Sequence, residues 1–373
     1  MLYRSFQGEQ LSALGLGAMR LPVAPDGSID KAAAAEMVAV AMREGVNYYD
    51  TAWGYHNGCS EPVMGEILSA YPRESFKLAS KFPGYDLSNL DKVAEIFEKQ
   101  LERCRVSYFD FYMFHNLCEA NADGYLDPKF GIYDYLIEQK RRGRIRHLGV
   151  STHASLKTMR RFLDAYGKDM EFCQIQLNYM DWNYQQAKEK IDLLGEYGIP
   201  VWVMEPVRGG KLAALGGAFA EKLRSIRTES APAMAFRFLQ AIPEVVVTLS
   251  GMSNMQQLCE NIATFSEHKP LNGTEFDAIV ALGDAIAGSM IPCTSCRYCT
   301  EYCPQGLDIP RLLKRYNEHA FTGGGAIPSS AMNGLDEGKR PTDCLGCRSC
   351  EAVCPQNIRI SEVLAEFDRR LKL

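Results

Sequence analysis

The chain has 373 residues, 41 basic and 46 acidic, for a net charge of −5. That length accommodates a barrel of about 250 residues and a smaller module beside it. The acidic balance, with no basic run interleaved with aromatics, argues against a nucleic-acid partner; no stretch approaches about 18 uninterrupted apolar residues, which argues against a membrane span.

The first 25 residues carry Arg4, Glu9 and Arg20 and no long apolar core, so they read as neither a signal peptide nor an anchor. Residues 1–13 are predicted to form a small hairpin or cap, and Leu14-Gly-Leu-Gly-Ala-Met19 a first strand. That strand holds only the first two glycines of a Gly-x-Gly-x-x-Gly fingerprint. A helix follows from Lys31 to Arg43, opened by Ser28 or Asp30 and closed before Gly45. Strand-like runs then lie near 47–50, 76–81, 109–114, 145–150, 172–176, 200–204 and 245–249. They alternate with helical patterns near 61–70, 90–104, 132–142, 155–166, 185–196, 231–240 and 253–265. An open doubly wound sheet fits the same alternation. The count of eight units, and polar residues at successive strand ends, favour a closed (β/α)8 TIM barrel.

Those polar residues define the candidate chemistry. Asn47-Tyr-Tyr-Asp-Thr-Ala-Trp-Gly-Tyr55 ends a buried run and carries an acid, Asp50, and a phenol, Tyr55. Phe76-Lys-Leu-Ala-Ser-Lys81 ends the next run in a cation, and Phe109-Asp-Phe-Tyr-Met-Phe-His115 ends the one after in a histidine. A phenol titrates near about 10, so it serves as a general acid only beside a cation that makes its ionised form easier to reach. Each residue alone reads as an ordinary solvated strand end; a barrel would gather all four on its C-terminal face.

In this order the four residues resemble the catalytic tetrad of the aldo/keto reductases. Asp50-Thr-Ala-Trp-Gly-Tyr55 looks like that family's Asp-Thr-Ala-x-x-Tyr, and Tyr108 to His115 like the strand that delivers its histidine. Gly143-Arg-Ile-Arg-His-Leu-Gly-Val-Ser151 is similar to the strand that reaches the nicotinamide, and the likeness runs from about Leu14 to about Phe265. The resemblance implies hydride transfer from NADP(H) or NAD(H) to a small-molecule carbonyl, or the reverse oxidation of an alcohol. Tyr55 would be the general acid, Lys81 would lower its pKa, Asp50 would hold Lys81, and His115 would orient the carbonyl oxygen as a neutral imidazole. It further implies nucleotide contacts from Ser151, Thr152, Gln174, Met204, Pro206, Val207, Gly209, Ser250, Gly251, Gln257, Glu260 and Asn261. Thr152 and Met204 depart from the common Asn and Tyr. Gly251 and Gln257 stand where NADP-preferring members often carry Lys and Arg, which weakens the case for a 2′-phosphate. Residues 250–254 also read simply as a helix N-cap. Trp53, Phe82, Tyr179 and Trp182 follow strand ends and read either as a substrate pocket or as packing.

A helix near 274–287 leads into a second module. The run Cys293-x2-Cys296-x2-Cys299-x3-Cys303-Pro304 recurs as Cys344-x2-Cys347-x2-Cys350-x3-Cys354-Pro355, the bacterial iron–sulfur spacing given twice. Zinc and disulfides are the bland readings, and the proline after the last cysteine opposes both. In two-cluster proteins the fourth cysteine ligates the other cluster. Cys293, Cys296, Cys299 and Cys354 are therefore assigned to one [4Fe-4S] cluster, and Cys344, Cys347, Cys350 and Cys303 to the other. Between the runs, residues 309–319 read as a helix and 322–328 as a loop, a mostly helical ferredoxin-like domain. The tail from Ile360 to Leu373 reads as an amphipathic helix. The predicted domains are 1–285 and 286–373. The other five of the 13 cysteines are scattered at apolar positions, a pattern of a reducing cytoplasm.

The two modules count electrons differently, since a hydride carries two and a cluster passes one. In one reading the barrel works alone as a carbonyl reductase and the clusters serve assembly or a redox partner such as a flavoprotein or ferredoxin. In another, a flavin or flavoprotein joins hydride chemistry to the clusters, the protein being an electron carrier with the barrel as docking or substrate module. No flavin motif is present to choose between them.

Overall fold

The computed structural model describes residues 1–291, 293, 297–320, 338–354 and 356–371. The predicted ligand Cys296, Pro355 and the predicted loop at 322–328 lie outside the described residues.

Strands β1 (Tyr3–Phe6) and β2 (Glu9–Ser12) form an antiparallel hairpin, as expected for the first 13 residues. Eight parallel strands follow: β3 (Leu14–Gly17), β4 (Tyr48–Asp50), β5 (Lys77–Phe82), β6 (Phe109–Leu117), β7 (Ile145–Thr152), β8 (Phe172–Gln176), β9 (Val201–Met204) and β10 (Val245–Ser250). They pair in chain order, and β10 closes on both β9 and β3. The open-sheet alternative is thereby excluded. Because helices cover one face and side chains fill the lumen, both faces are buried, and the strands read as continuous apolar runs.

Between the strands run α1 (Lys31–Arg43), α2 (Ser60–Leu68), α3 (Val93–Cys104), α4 (Ala122–Leu126), α5 (Ile132–Arg141), α6 (Leu156–Tyr166), α7 (Asp181–Tyr184), α8 (Ala187–Glu196), α9 (Gly217–Ile226), α10 (Ala231–Gln240) and α11 (Met255–Phe265). Of the two caps considered for α1, Asp30 serves: its Oδ1 accepts the Ala33 N–H at 3.0 Å. The end of the barrel away from the candidate site is plugged by aromatics. Phe6 from the hairpin meets Trp202 edge-on at 5.0 Å and His147 at 5.0 Å, while Phe111 stacks on His147 at 4.9 Å.

Compactness divides the chain in an order that the sequence does not follow. One unit comprises 1–209 and 232–276; the other comprises 210–231, which includes α9, and 277–373. The long α12 (Gly273–Gly288) crosses from one range to the other. In the second unit, α13 (Tyr298–Glu301), α14 (Ile309–Ala320), α15 (Ser349–Ala352) and α16 (Ile360–Leu371) surround a core of Leu307, Ile309, Leu312, Leu313, Ile358, Ile360 and Leu364 together with cysteines. The tail folds as the amphipathic helix expected of it, and Phe367 meets Tyr316 of α14 edge-on at 5.8 Å. No helix among the described residues is long and apolar enough to cross a membrane.

Candidate active site and candidate metal centre

Strand alternation carries Asp50, Lys81 and His115 to the C-terminal mouth of the barrel. Lys81 is wholly buried; its Nζ donates to Asp50 Oδ1 at 2.5 Å and to the Thr51 carbonyl at 2.9 Å. It lies 5.1 Å from the centre of the Tyr55 ring, and that ring meets His115 edge-on at 5.9 Å. The four predicted residues are thus brought together.

Their charges follow from burial and pairing. Burial pulls the Lys81 ammonium down, but Asp50 and then Tyr55 outweigh it, so its pKa is raised and it stays protonated. Burial likewise pushes Asp50 up, with Lys81 holding it back. For Tyr55, burial raises the pKa and Lys81 lowers it; burial prevails in this structure, so the cation acts in the expected direction without reversing the shift. Burial, then Lys81, drives His115 well below its ordinary value, which makes it a neutral imidazole at neutral pH. Its Nδ1 is buried without a hydrogen-bond partner.

The nucleotide candidates fall into three groups. At the end of β7, Ser151 Oγ accepts the Asn116 N–H at 3.0 Å. Thr152 is committed locally, its hydroxyl donating to the Leu117 carbonyl and accepting the Ala154 N–H. Gln174 is buried with its Oε1 unpartnered, an inward-facing acceptor. Gln176, which the sequence reading passed over, is on the same face one step nearer the mouth and bonds Asp181. Met204 ends β9, and Pro206, Val207 and Gly209 belong to the turn after it, in which Glu205, Arg208 and Gly209 all have positive φ. After β10, Asn261 donates to Ser250 Oγ at 3.1 Å, and Gln257 Oε1 accepts the Ser253 N–H at 2.8 Å. Glu260 accepts from Gln256, and Asn254 caps α11, so the N-cap reading of this stretch holds as well.

Gly251 is a cradle. A Cβ there would lie within 3.0–3.1 Å of the Arg20 stem, and one at Gly209 would lie 3.0 Å from Arg20 Nη2. Arg20 therefore stretches from the turn after β10 to the turn after β9, where TIM barrels bind phosphate. The sequence reading saw no cation near Gly251 because this one comes from a loop 231 positions earlier. The orphaned Gln174 acceptor and the Arg20-lined glycine turns suit a nicotinamide dinucleotide.

Of the two readings of the strand-end aromatics, packing holds for three. Phe82 and Tyr179 are fully buried, Phe82 packing on Tyr125 and Tyr179 on Phe238. Trp182 meets Phe238 and Phe276, so it too is a packing residue. Trp53 remains near the site, stacked under the Arg103 guanidinium at 3.8 Å. Tyr85, absent from the prediction, meets His115 edge-on at 5.1 Å and is 39% exposed, so it borders the mouth.

In the second unit the thiols line two separate cavities. Cys293, Cys299 and Cys354 face one; Cys303, Cys344, Cys347 and Cys350 face another. Among the described residues, no three His, Cys, Asp or Glu side chains close around a point fit for a single ion. Two groups of soft sulfur donors, each with a fourth-position cysteine from the other run, suit polynuclear clusters. The Leu307 N–H donates to Cys303 Sγ at 3.4 Å, and hydrogen bonds from Ser349 hold the exposed Cys347 thiol below its usual pKa. Each cavity is also bordered by an arginine in the left-handed region, Arg297 and Arg348, at the start of α13 and α15.

Comparison with known proteins agrees with this geometry. The NADH-specific methylglyoxal reductase of Escherichia coli (strain K12) is 25% identical over 302 residues, 69% of this chain and 90% of that protein. The L-galactose dehydrogenase of Arabidopsis thaliana is 25% identical over 297 residues, 71% of this chain and 87% of that protein. Among solved structures, the holo form of aldo-keto reductase AKR11C1 from Bacillus halodurans superposes with a TM-score of 0.62 at 23% identity, covering 76% of this chain and 96% of that one. A 4Fe-4S dicluster domain matches residues 292–358. The aldo/keto reductase family matches residues 13–284, a span that takes in all eight barrel strands and the Asp50–Tyr55–Lys81–His115 group, and the chain belongs to that family of oxidoreductases.

Proposed function

We propose that the barrel reduces a small carbonyl compound at the expense of NAD(P)H, or oxidises the corresponding alcohol, and that the second unit holds two [4Fe-4S] clusters. The observation that carries the first part is the buried Lys81 ammonium, bonded to Asp50 at 2.5 Å and 5.1 Å from the Tyr55 ring.

When bound, the reduced nicotinamide supplies a hydride to the carbonyl carbon. Tyr55 gives its proton to the carbonyl oxygen, so the product is the alcohol. Lys81 stabilises the phenolate left behind, and Asp50 holds Lys81 so that its charge faces the phenol. Neutral His115 donates a hydrogen bond to the carbonyl oxygen and fixes its direction. Ser151, Gln174 and Met204 would hold the nicotinamide end. Pro206, Val207, Gly209, Ser250 and Gly251, with Arg20, would hold the phosphates. Gln257, Glu260 and Asn261 would hold the adenosine, and Thr152 supports the turn after β7. A neutral Gln257 engaged with Ser253 offers a 2′-phosphate no cation, which favours NADH; the Escherichia coli relative, an NADH-specific methylglyoxal reductase, points the same way. The division of thiols between two cavities supports the crossed ligand sets, with Cys296 completing the first. In this reading the protein is cytoplasmic, and the clusters exchange electrons with a redox protein, a flavoprotein or ferredoxin.

The test is Tyr55→Phe in the cluster-loaded protein. Turnover is expected to fall by about 10²–10⁴, the range of a general acid, with NADH affinity unchanged. Undiminished turnover would remove Tyr55 from the mechanism. An anaerobic NADH titration read by EPR separates a barrel that works alone from one that feeds the clusters.

A further inference from the structure

Helix α2 begins just past the loop that carries Tyr55, and its second residue is a carboxylate buried to 0% exposure, Glu61. A lone buried carboxylate is costly unless it is fully engaged. Glu61 Oε1 accepts from Ser80 Oγ at 2.7 Å and from Gln100 Nε2 at 2.6 Å, and Oε2 faces Arg103 Nη1 at 3.4 Å. Burial pushes its carboxyl up against the pull of these same partners.

The partners lead to the reacting residues from two sides. Gln100 Nε2 also reaches the Lys81 carbonyl at 3.0 Å, and Gln100 Oε1 accepts from the Tyr112 hydroxyl at 2.6 Å. The end of β5 that presents Lys81 is therefore tied to Glu61 through Ser80 and Gln100. On the other side, Arg103 lies 3.8 Å over Trp53, two residues before Tyr55. The register of the hub is set by backbone: a Cβ on Gly65, one turn along α2, would fall 2.3 Å from the Arg103 carbonyl and 2.6 Å from Cys104. Glycine there lets α2 and α3 touch main chain to main chain, which brings Glu61 within reach of Gln100 and Arg103. Immediately after Tyr55, His56 and Asn57 both occupy the left-handed region, so the loop itself does not favour this conformation and needs anchoring.

We propose that Glu61 is a positioning residue that locks the Tyr55 loop and the Lys81 strand end into one register, so that phenol and ammonium stay within reach. This rests on the reading of Tyr55 as the proton donor.

The test compares Glu61→Gln and Gln100→Met, read by the tyrosinate absorbance of Tyr55 (each variant minus the same variant carrying Tyr55→Phe), by kcat and by NADH affinity. Asp50, Lys81, Tyr85 and His115 face the phenol in both variants and are unchanged. A pure field effect predicts that removing the Glu61 charge makes Tyr55 ionise more easily, and that the neutral change at Gln100 does nothing. Loss of register predicts that both variants make it ionise at higher pH, with kcat down about 10- to 100-fold and NADH affinity kept. Easier ionisation in Glu61→Gln with Gln100→Met unmoved, or a kcat loss matched by loss of folded protein, overturns the proposal. Should Tyr55→Phe itself keep full turnover, the mechanism fails, while the shift in Tyr55 ionisation still decides whether Glu61 sets the register.

Discussion

The barrel mouth and the cysteine unit solve opposite problems. At the mouth, the chain supplies both charges of its most buried pair, Lys81 and Asp50, and they satisfy each other before any ligand arrives. In the second unit, Cys299 and Cys350 sit in the small apolar core itself, with Cys293, Cys303, Cys344 and Cys354 packed against it. There the polar atoms are sulfurs, soft donors that carry no fixed counter-charge. The contrast teaches that the mouth is organised by charges the chain itself supplies, whereas in the proposed reading the cysteine unit takes part of its stability from the clusters it holds.

The largest effect that would break this contrast is iron removal. Protein made without iron is expected to lose the second unit's protection from protease and hydrogen exchange, while the barrel keeps its melting temperature and NADH affinity. Equal protection with and without iron would put the cysteine unit in the same class as the barrel. Next is Asp50→Asn, which strands the Lys81 charge in a buried setting. We expect a stability loss of about 3–5 kcal/mol in urea unfolding, with turnover severely reduced.

A narrower test is Cys303→Ala. Iron analysis and EPR are expected to show damage to the cluster shared with Cys344, Cys347 and Cys350, leaving that of Cys293, Cys299 and Cys354. The smallest effect concerns acid. His115 is held neutral when folded, so the unfolded chain binds its proton first as pH falls below about 6.5. Stability is then fully present above that value and declines below it, toward the depressed folded pKa. His115→Gln should flatten this part of a stability-versus-pH curve.

The eight strands and the Asp50, Tyr55, Lys81 and His115 group were legible because doubly buried parallel strands are largely apolar runs, and Asp50, Lys81 and His115 stand at or near the ends of three successive ones. Two open points had a legible answer. Phe82 follows Lys81 directly, so alternation alone turns it away from the site and into the helix layer. Gln176 shares its face with Gln174 by the same rule. Other features were out of reach. Glu61 after Ser60 reads as an acid in the first turn of a helix, where a carboxylate is ordinary; its burial depends on how closely α3 approaches at Gly65. Arg20 becomes a neighbour of Gly251 only when β3 closes against β10. The segment α9, opened by Gly216 and Gly217 with no side-chain cap, gives no start signal at all.

That segment has a consequence for handling. A module appended to the end of an enzyme can be cut off again without harm. Here residues 210–231, from the middle of the barrel's own sequence, are grouped with the C-terminal unit. No single cut in the chain separates the two units as they are grouped: a chain stopped after the barrel keeps residues 210–231, and the liberated tail lacks them.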